Sequence, residues 1–155
     1  MSATPQTAIE RAIVMALRAH HGQYDKAQEP YILHPMRVMG SATLIHEDWR
    51  VAAGLHDVAE PDAAFPVPLE DIRRCFGAEV GEMVDNLTHW PGERLRHYWD
   101  RCRDHPGSWA VKIADIKDNL NRIDGLPDWS VRQRLLHKYH TALAYLLPKT
   151  VNPMA

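Results

Sequence analysis

Cysteine is scarce in this chain: Cys75 and Cys102 are the only two among 155 residues, and they stand far apart with no metal-binding spacing. This usage predicts reduced thiols in a cytoplasmic protein rather than a disulfide-stabilised fold. Long apolar runs are missing as well, so no membrane-spanning segment is expected. The first residues carry no basic segment followed by an apolar run, which argues against a signal peptide.

An excess of charge of one sign is also absent, because 18 Lys and Arg residues stand against 20 Asp and Glu residues and the net charge is −2. The sequence therefore lacks the broad basic surface of a nucleic-acid-binding protein. Repeats, low-complexity segments and the alternation that predicts β-strands are missing too. The composition is that of an ordinary globular protein, and the length favours a single domain over residues 1–155.

Apolar residues at helical spacing are abundant, and they predict an all-α fold. The first helix is expected to begin at Thr4-Pro5 and to end at Gly22, and His34-Pro35 is expected to open the second. Asp48 is a candidate cap for a helix over residues 49–59. Further helices are predicted over residues 69–76, 78–88, 93–104, 109–124 and 127–148. Together they make a bundle-like domain of about eight helices.

The segment from Gly54 to Glu60 places an adjacent His56-Asp57 pair in an otherwise apolar, and therefore buried, helix. A buried charge needs a partner or a metal, and imidazole with carboxylate suits zinc, manganese or iron. Helical spacing puts Glu60 one turn beyond the pair, where it could touch a metal-bound water. Pro61 disfavours helix at Glu60, so this acid is expected at a loop mouth.

Other histidines and basic residues have two interpretations each. Proline at the start of a helix holds His34 outside the apolar stripe, which makes it a candidate ligand. Arg37 faces the same way, either as a phosphate contact or as a surface arginine. Lys26 lies in a predicted loop, where it could bind an anion or be simply solvated. His20 continues an apolar stripe and is better explained as a hydrogen-bonded core histidine.

The predicted helix over residues 109–124 carries a polar stripe beside its apolar one. On a solvated face this stripe would be unremarkable. As the wall of a site, it would offer Asp115 as a metal ligand, Asn119 as a substrate contact and the basic residues Lys112 and Arg122 as phosphate contacts.

Four candidate ligands thus follow the order His, His-Asp, distant Asp; they are His34, His56, Asp57 and Asp115. In the order and type of these residues, the chain resembles the HD metal-dependent phosphohydrolase superfamily. Five segments are similar to successive motifs in the hydrolase domain of RelA/SpoT-type alarmone enzymes; they are residues 20–35, 55–60, 76–80, 84–88 and 111–120. With no synthetase domain after them, the resemblance is to the small stand-alone alarmone hydrolases.

The resemblance implies an HD-domain helical bundle that hydrolyses the 3′-pyrophosphate of guanosine tetra- or pentaphosphate. It implies that the four candidate ligands bind one metal, usually manganese, although zinc, iron or cobalt also suit such ligands. Glu60 matches the acid that handles the attacking water, Asn119 matches a nucleotide contact, and Lys26 matches a basic residue of the substrate loop. Tyr98 and Arg122 complete the set of candidate substrate contacts.

Two departures from the family pattern keep alternatives open. Asp25 stands where an arginine is usual, and Pro61 stands where a second acid is usual, unless Asp62 takes its place as a catalytic residue. The alternatives are an HD phosphohydrolase acting on another nucleotide or phosphate ester, and a non-catalytic metal- or nucleotide-binding module. A homo-oligomer is also open, because three tryptophans could mark an interface or line the core or a groove. They are Trp90, Trp99 and Trp129.

Overall fold

The computed structural model describes residues 6–148, which form eight α-helices and one 3-10 turn. Apart from an isolated bridge between Tyr24 and Pro30, this part of the chain has no β-structure. The predicted all-α fold is therefore confirmed. The elements are α1 Ala8–Ala19, α2 Leu33–Met39, α3 Glu47–Leu55, α4 Leu69–Phe76, α5 Ala78–Leu87, α6 Leu95–Arg103, α7 Pro106–Arg122, the 3-10 turn Ile123–Gly125 and α8 Trp129–Leu146. Within the described range, no helix has the length and apolar character needed to span a membrane.

The start of α1 is fixed by a capping box. Thr7 Oγ1 accepts a hydrogen bond from the Glu10 amide, and the Glu10 carboxylate accepts one from the Thr7 amide. The predicted start at Thr4-Pro5 lies outside the described residues. In α2 the helix begins one residue before His34, so Pro35 falls within the first turn, where no amide partner is required.

Helix α3 differs from its prediction at both ends. It begins after His46, so Asp48 lies in the first turn, where its charge favours the helix N-terminus, and is not the cap. It ends at Leu55, because His56 Nδ1 approaches the Ala53 carbonyl oxygen to 2.6 Å and competes for the acceptor that would continue the helix. The chain then runs through tighter turns, so Glu60 lies beyond the helix end.

Helices α6 and α7 also begin elsewhere than predicted. The first starts at Leu95 instead of residue 93. The second starts at Pro106, before the predicted residue 109, because His105 Nδ1 accepts the Gly107 amide and caps it. Proline suits a first helical position, since the amide it lacks would have no partner there.

The main core surrounds α3, which packs against α1, α2, α5 and α7. Gly54 allows the close approach to α2, since an added Cβ would lie 2.1 Å from the Met39 methyl carbon. A second core lies between α6, α7 and α8 and includes Trp99 and Cys102. Cys75 is exposed, both cysteines are free, and Trp129 is 70% exposed. This packing brings the ends of α2 and α3 against the middle of α7.

Candidate active site

Four side chains converge where α2, the turn after α3, and α7 meet. Ligand atoms of His34, His56 and Asp57 all lie within 4.8 Å of one another. Asp115 Oδ1 lies 3.0 Å from His34 Nε2 and 3.7 Å from His56 Nε2. The structure thus brings together all four residues singled out from the sequence. We refer to them as the His-Asp cluster: His34, His56, Asp57 and Asp115.

The orientation of His56 gives the cluster the character of a cation site. Its ring is buried, and the Nδ1 contact with the Ala53 carbonyl requires the proton on that nitrogen. Nε2 is buried, has no hydrogen-bond partner among the described residues, and lies 3.0 Å from Asp57 Oδ2. A nitrogen lone pair facing a carboxylate is repulsive unless a proton or a cation lies between them. The donor set therefore fits a divalent metal ion.

His34 is oriented in the same way by a carboxylate that the sequence analysis missed. Its Nδ1 lies 2.8 Å from Asp118 Oδ2, which leaves Nε2 directed at the cluster. Arg37 donates two hydrogen bonds to Asp118, at 2.7 and 3.0 Å. Arg37 is thus partly buried in an ion pair and is not a freely solvated surface arginine, while its role as a phosphate contact stays a prediction. The only sequence signal for Asp118 was its position one turn after Asp115.

Removing the charge of Asp118 is expected to weaken metal binding. Carboxylates that hold a metal-ligating imidazole typically account for about 10–100-fold in metal affinity. We expect Asp118→Asn to lower the Mn²⁺ affinity by that amount, measured by competition with a fluorescent chelator. Asp124→Asn, at an exposed position in the 3-10 turn, serves as the matched control. Unchanged affinity in Asp118→Asn would show that the ion pair only stabilises the fold.

Asp57 also has a partner that sequence reasoning missed. The Tyr31 hydroxyl, from the loop after α1, donates a 2.5 Å hydrogen bond to Asp57 Oδ2. Burial, reinforced by the nearby Asp57 charge, raises the pKa of Tyr31, so the hydroxyl keeps its proton as a donor. Tyr31 therefore fixes one oxygen of a carboxylate in the cluster.

Asp115 is held by two neighbours from the polar stripe of α7. Lys112 Nζ lies 2.7 Å from Oδ2, and Asn119 Nδ2 donates to Oδ1 at 2.8 Å. Burial raises the pKa of Asp115, but the Lys112 ammonium and the His34 and His56 imidazoles together outweigh this and hold the pKa well below its usual range. The stripe is thus a wall of the site and not a solvated face. Two of its residues, Lys112 and Asn119, hold the Asp115 carboxylate in position.

Glu60 lies in the turns that follow α3, where its backbone amide donates a hydrogen bond to the Asp57 carbonyl oxygen. Its Oε1 accepts the His89 amide at 2.8 Å. Burial, opposed by this hydrogen bond and reinforced by the charges of Asp57 and Asp62, raises the pKa of Glu60 to about 7. A carboxyl group with a pKa near neutrality can take up a proton at physiological pH and release it again.

His34, Asp57, Asp115 and Glu60 open onto one cavity of about 500 Å³, a size that suits a nucleotide. Every predicted substrate contact lines it, and so does the exposed acid Asp62. Several polar groups there already have partners in the protein. Tyr98 donates its hydroxyl to the Leu87 carbonyl, Arg122 lies 3.3 Å from Asp25 Oδ2, and Asn119 holds Asp115. Lys26 is exposed.

His20 also lines this cavity. It is buried, as expected of a core histidine, with Nδ1 3.0 Å from the Gln23 side-chain oxygen. Asp25 organises the neighbouring loop, since its Oδ1 accepts the Ala27 and Glu29 amides. The loop that contains Lys26 is therefore a structured wall of the cavity.

Comparison with known proteins identifies the family. A family model described as the HD domain matches residues 12–98, which include His34, the His56-Asp57 pair and Glu60. The chain belongs to the HD domain family. Asp115 lies beyond the matched range.

Curated relatives of this HD-domain chain carry names from guanosine polyphosphate metabolism. A guanosine-3′,5′-bis(diphosphate) 3′-pyrophosphohydrolase of Haemophilus influenzae is 39% identical over 77 residues, covering 48% of this chain and 11% of that protein. A GTP pyrophosphokinase of Streptomyces coelicolor is 42% identical over 129 residues, covering 72% of this chain and 14% of that protein. The chain thus spans less than a fifth of the length of the curated relatives it matches.

A solved structure shares the whole fold. It is described as a metazoan ortholog of SpoT that hydrolyzes ppGpp and plays a role in starvation responses. The TM-score is 0.78 at 20% sequence identity, and the match covers 97% of this chain and 92% of that chain. The predicted HD-domain helical bundle is confirmed by this match.

Proposed function

We propose that this chain is a metal-dependent phosphohydrolase that removes the 3′-pyrophosphate of guanosine tetra- or pentaphosphate, releasing GDP or GTP and pyrophosphate. The observation that carries the proposal is the His-Asp cluster, three of whose members open together with Glu60 onto one nucleotide-sized cavity. The relative from Haemophilus influenzae, whose name states this reaction, supports the choice of substrate.

The four residues of the His-Asp cluster are the proposed ligands of one divalent metal. Two neutral imidazoles and two carboxylates would balance the charge of such an ion. Manganese is our choice because of the resemblance to alarmone hydrolases, and zinc, iron or cobalt would suit the same nitrogen and oxygen donors. When bound, the ion would supply positive charge for the phosphoryl oxygens and lower the pKa of a water molecule.

Glu60 is the proposed general base. The His89 amide fixes Oε1, and the carboxylate can accept the proton that the attacking water loses. Water is the proposed nucleophile, since none of the described residues that line the cavity is a serine or cysteine. The water oxygen bonds to the phosphorus attached to the ribose 3′ oxygen, and the bond between that oxygen and phosphorus breaks. The 3′ oxygen then needs a proton, and Asp62 is the proposed second acid, in place of the one missing at Pro61.

Lys26 is proposed to bind phosphate oxygens of the substrate. Asn119, Arg122 and Tyr98 are proposed to contact the nucleotide at the cavity wall. Since their polar groups also hold Asp115, Asp25 and the Leu87 carbonyl, they bind substrate with side chains already fixed in place. Such preorganisation reduces the entropy that binding costs.

The test is a purified-protein assay with Mn²⁺ and guanosine tetraphosphate, in which GDP and pyrophosphate are separated by chromatography. We expect turnover that EDTA abolishes and added Mn²⁺ restores. Absence of turnover in protein shown to hold one metal per chain would retain the metal site and reject this substrate.

One observation favours a second candidate, an HD phosphohydrolase that acts on a different nucleotide. Asp25 stands where the resemblance predicts an arginine, and its carboxylate lies 3.3 Å from Arg122 and offsets part of that positive charge. A cavity with less positive charge would bind less heavily phosphorylated nucleotides comparatively well. A nucleotide panel assayed separately for phosphate and pyrophosphate would distinguish the two candidates.

A further inference from the structure

Within residues 6–148, two lysines in the cavity wall lack the acidic partners that three other basic residues of the wall have. Three of the basic residues that line the cavity are each held by a carboxylate; the pairs are Arg37 with Asp118, Lys112 with Asp115 and Arg122 with Asp25. Lys26 and Lys138 also line it, and neither has a carboxylate within 4.0 Å among residues 6–148. Their positive charges therefore remain available to a ligand.

The two lysines reach the same cavity from separate elements, since Lys26 belongs to the loop before α2 and Lys138 to α8. Desolvation, together with the positive charges of Lys112 and Lys26, lowers the pKa of Lys138 and outweighs the opposing effect of the Asp115 and Glu60 carboxylates. Gathering like charges beside a cavity costs free energy, which a bound anion would offset. Apolar side chains line the cavity as well, among them Ile123, Leu126, Leu135 and Tyr139.

We propose that Lys138 and Lys26 form an anion subsite that binds a second phosphate-bearing group of the substrate, separate from the group at the His-Asp cluster. The first group is the 3′-pyrophosphate at the His-Asp cluster, and its assignment rests on the proposed function. The apolar residues would then hold the nucleoside between the His-Asp cluster and the lysine subsite. The substrate of the proposed function, which is phosphorylated at two positions of its ribose, would occupy both sites. Because the subsite does not touch the reacting atoms, Lys138 is expected to affect KM far more than kcat.

Binding of GDP and guanosine to metal-free protein, followed by isothermal titration calorimetry, tests the subsite without turnover. GDP carries a 5′-diphosphate and no 3′-phosphate, so its binding reports on the proposed subsite for the second phosphate-bearing group. We expect GDP to bind about tenfold or more tightly than guanosine, as for hydrogen bonds to a charged group. Lys138→Gln should remove most of this advantage and leave guanosine affinity unchanged. Lys138→Arg should restore it, and Lys117→Gln, an exposed position on α7, is the matched control.

The outcomes separate this proposal from the proposed function. If guanosine tetraphosphate is not hydrolysed but GDP binding depends on Lys138, the function is wrong and the subsite is supported. If GDP and guanosine bind equally, or if Lys138→Gln and Lys26→Gln both retain wild-type GDP affinity, the subsite is rejected whatever the activity. Thermal unfolding of each variant, monitored by circular dichroism, verifies that the compared proteins are folded.

Discussion

We expect the Asp57→Ala variant to bind divalent metal at least about 100-fold more weakly than the wild-type protein and to lose metal-dependent pyrophosphate release. Asp57 Oδ2 lies 3.0 Å from His56 Nε2 and 3.7 Å from His34 Nε2, so this oxygen is adjacent to both imidazoles. Its removal takes away a ligand and half of the negative charge that balances the ion. Loss of a residue that only supports a ligand already costs about 10–100-fold, so loss of the ligand should cost more.

Two measurements check this expectation. Metal content after dialysis against a fixed Mn²⁺ concentration reports binding, and chromatography of guanosine tetraphosphate reactions reports turnover. Asp104→Ala, at an exposed position after α6, provides the control for loss of an acidic residue elsewhere. Full activity of Asp57→Ala would mean that the His-Asp cluster is not the catalytic centre.

The Glu60→Gln variant is expected to retain metal and to lose about 10²–10⁴-fold in kcat, the usual contribution of a general base. Glutamine keeps an oxygen that can accept the His89 amide, so the local structure should be preserved. It cannot accept a proton at neutral pH. The loss should therefore fall on kcat, while the chelator-competition affinity for Mn²⁺ stays close to that of the wild-type protein.

The same role predicts the direction of the pH dependence. A general base must be ionised, so wild-type turnover should fall as the pH drops through the pKa of Glu60. Without metal that pKa is raised to about 7, chiefly by burial, and a bound cation would move it lower. Glu82→Gln, at an exposed position on α5, is the matched control and should keep the wild-type pH profile. A Glu60→Gln variant with wild-type kcat would exclude this residue as the base.

The sequence was sufficient for the helices and for the residues of the His-Asp cluster. Helical spacing of apolar residues, caps and prolines are local signals, and they located eight helices with errors of a few residues at their ends. The largest of these errors, at the end of α3, arose from a side-chain hydrogen bond of His56 to the Ala53 carbonyl that no propensity describes. The cluster was recognisable because its motifs occur in a fixed order along the chain.

Only the tertiary structure decided which residues support that cluster. Asp118 contacts His34 across 84 residues of sequence, Tyr31 contacts Asp57 across 26, and these pairs exist because α2 and the turn after α3 pack against one another and against α7. The sequence likewise offered Lys112 as a phosphate contact, whereas folding places its ammonium on Asp115. No sequence pattern pointed to Lys138, because its role depends on which carboxylates folding places near it, and among the described residues none lies within 4.0 Å. Local composition determines which helices form, but the partner of each polar side chain depends on how those helices pack.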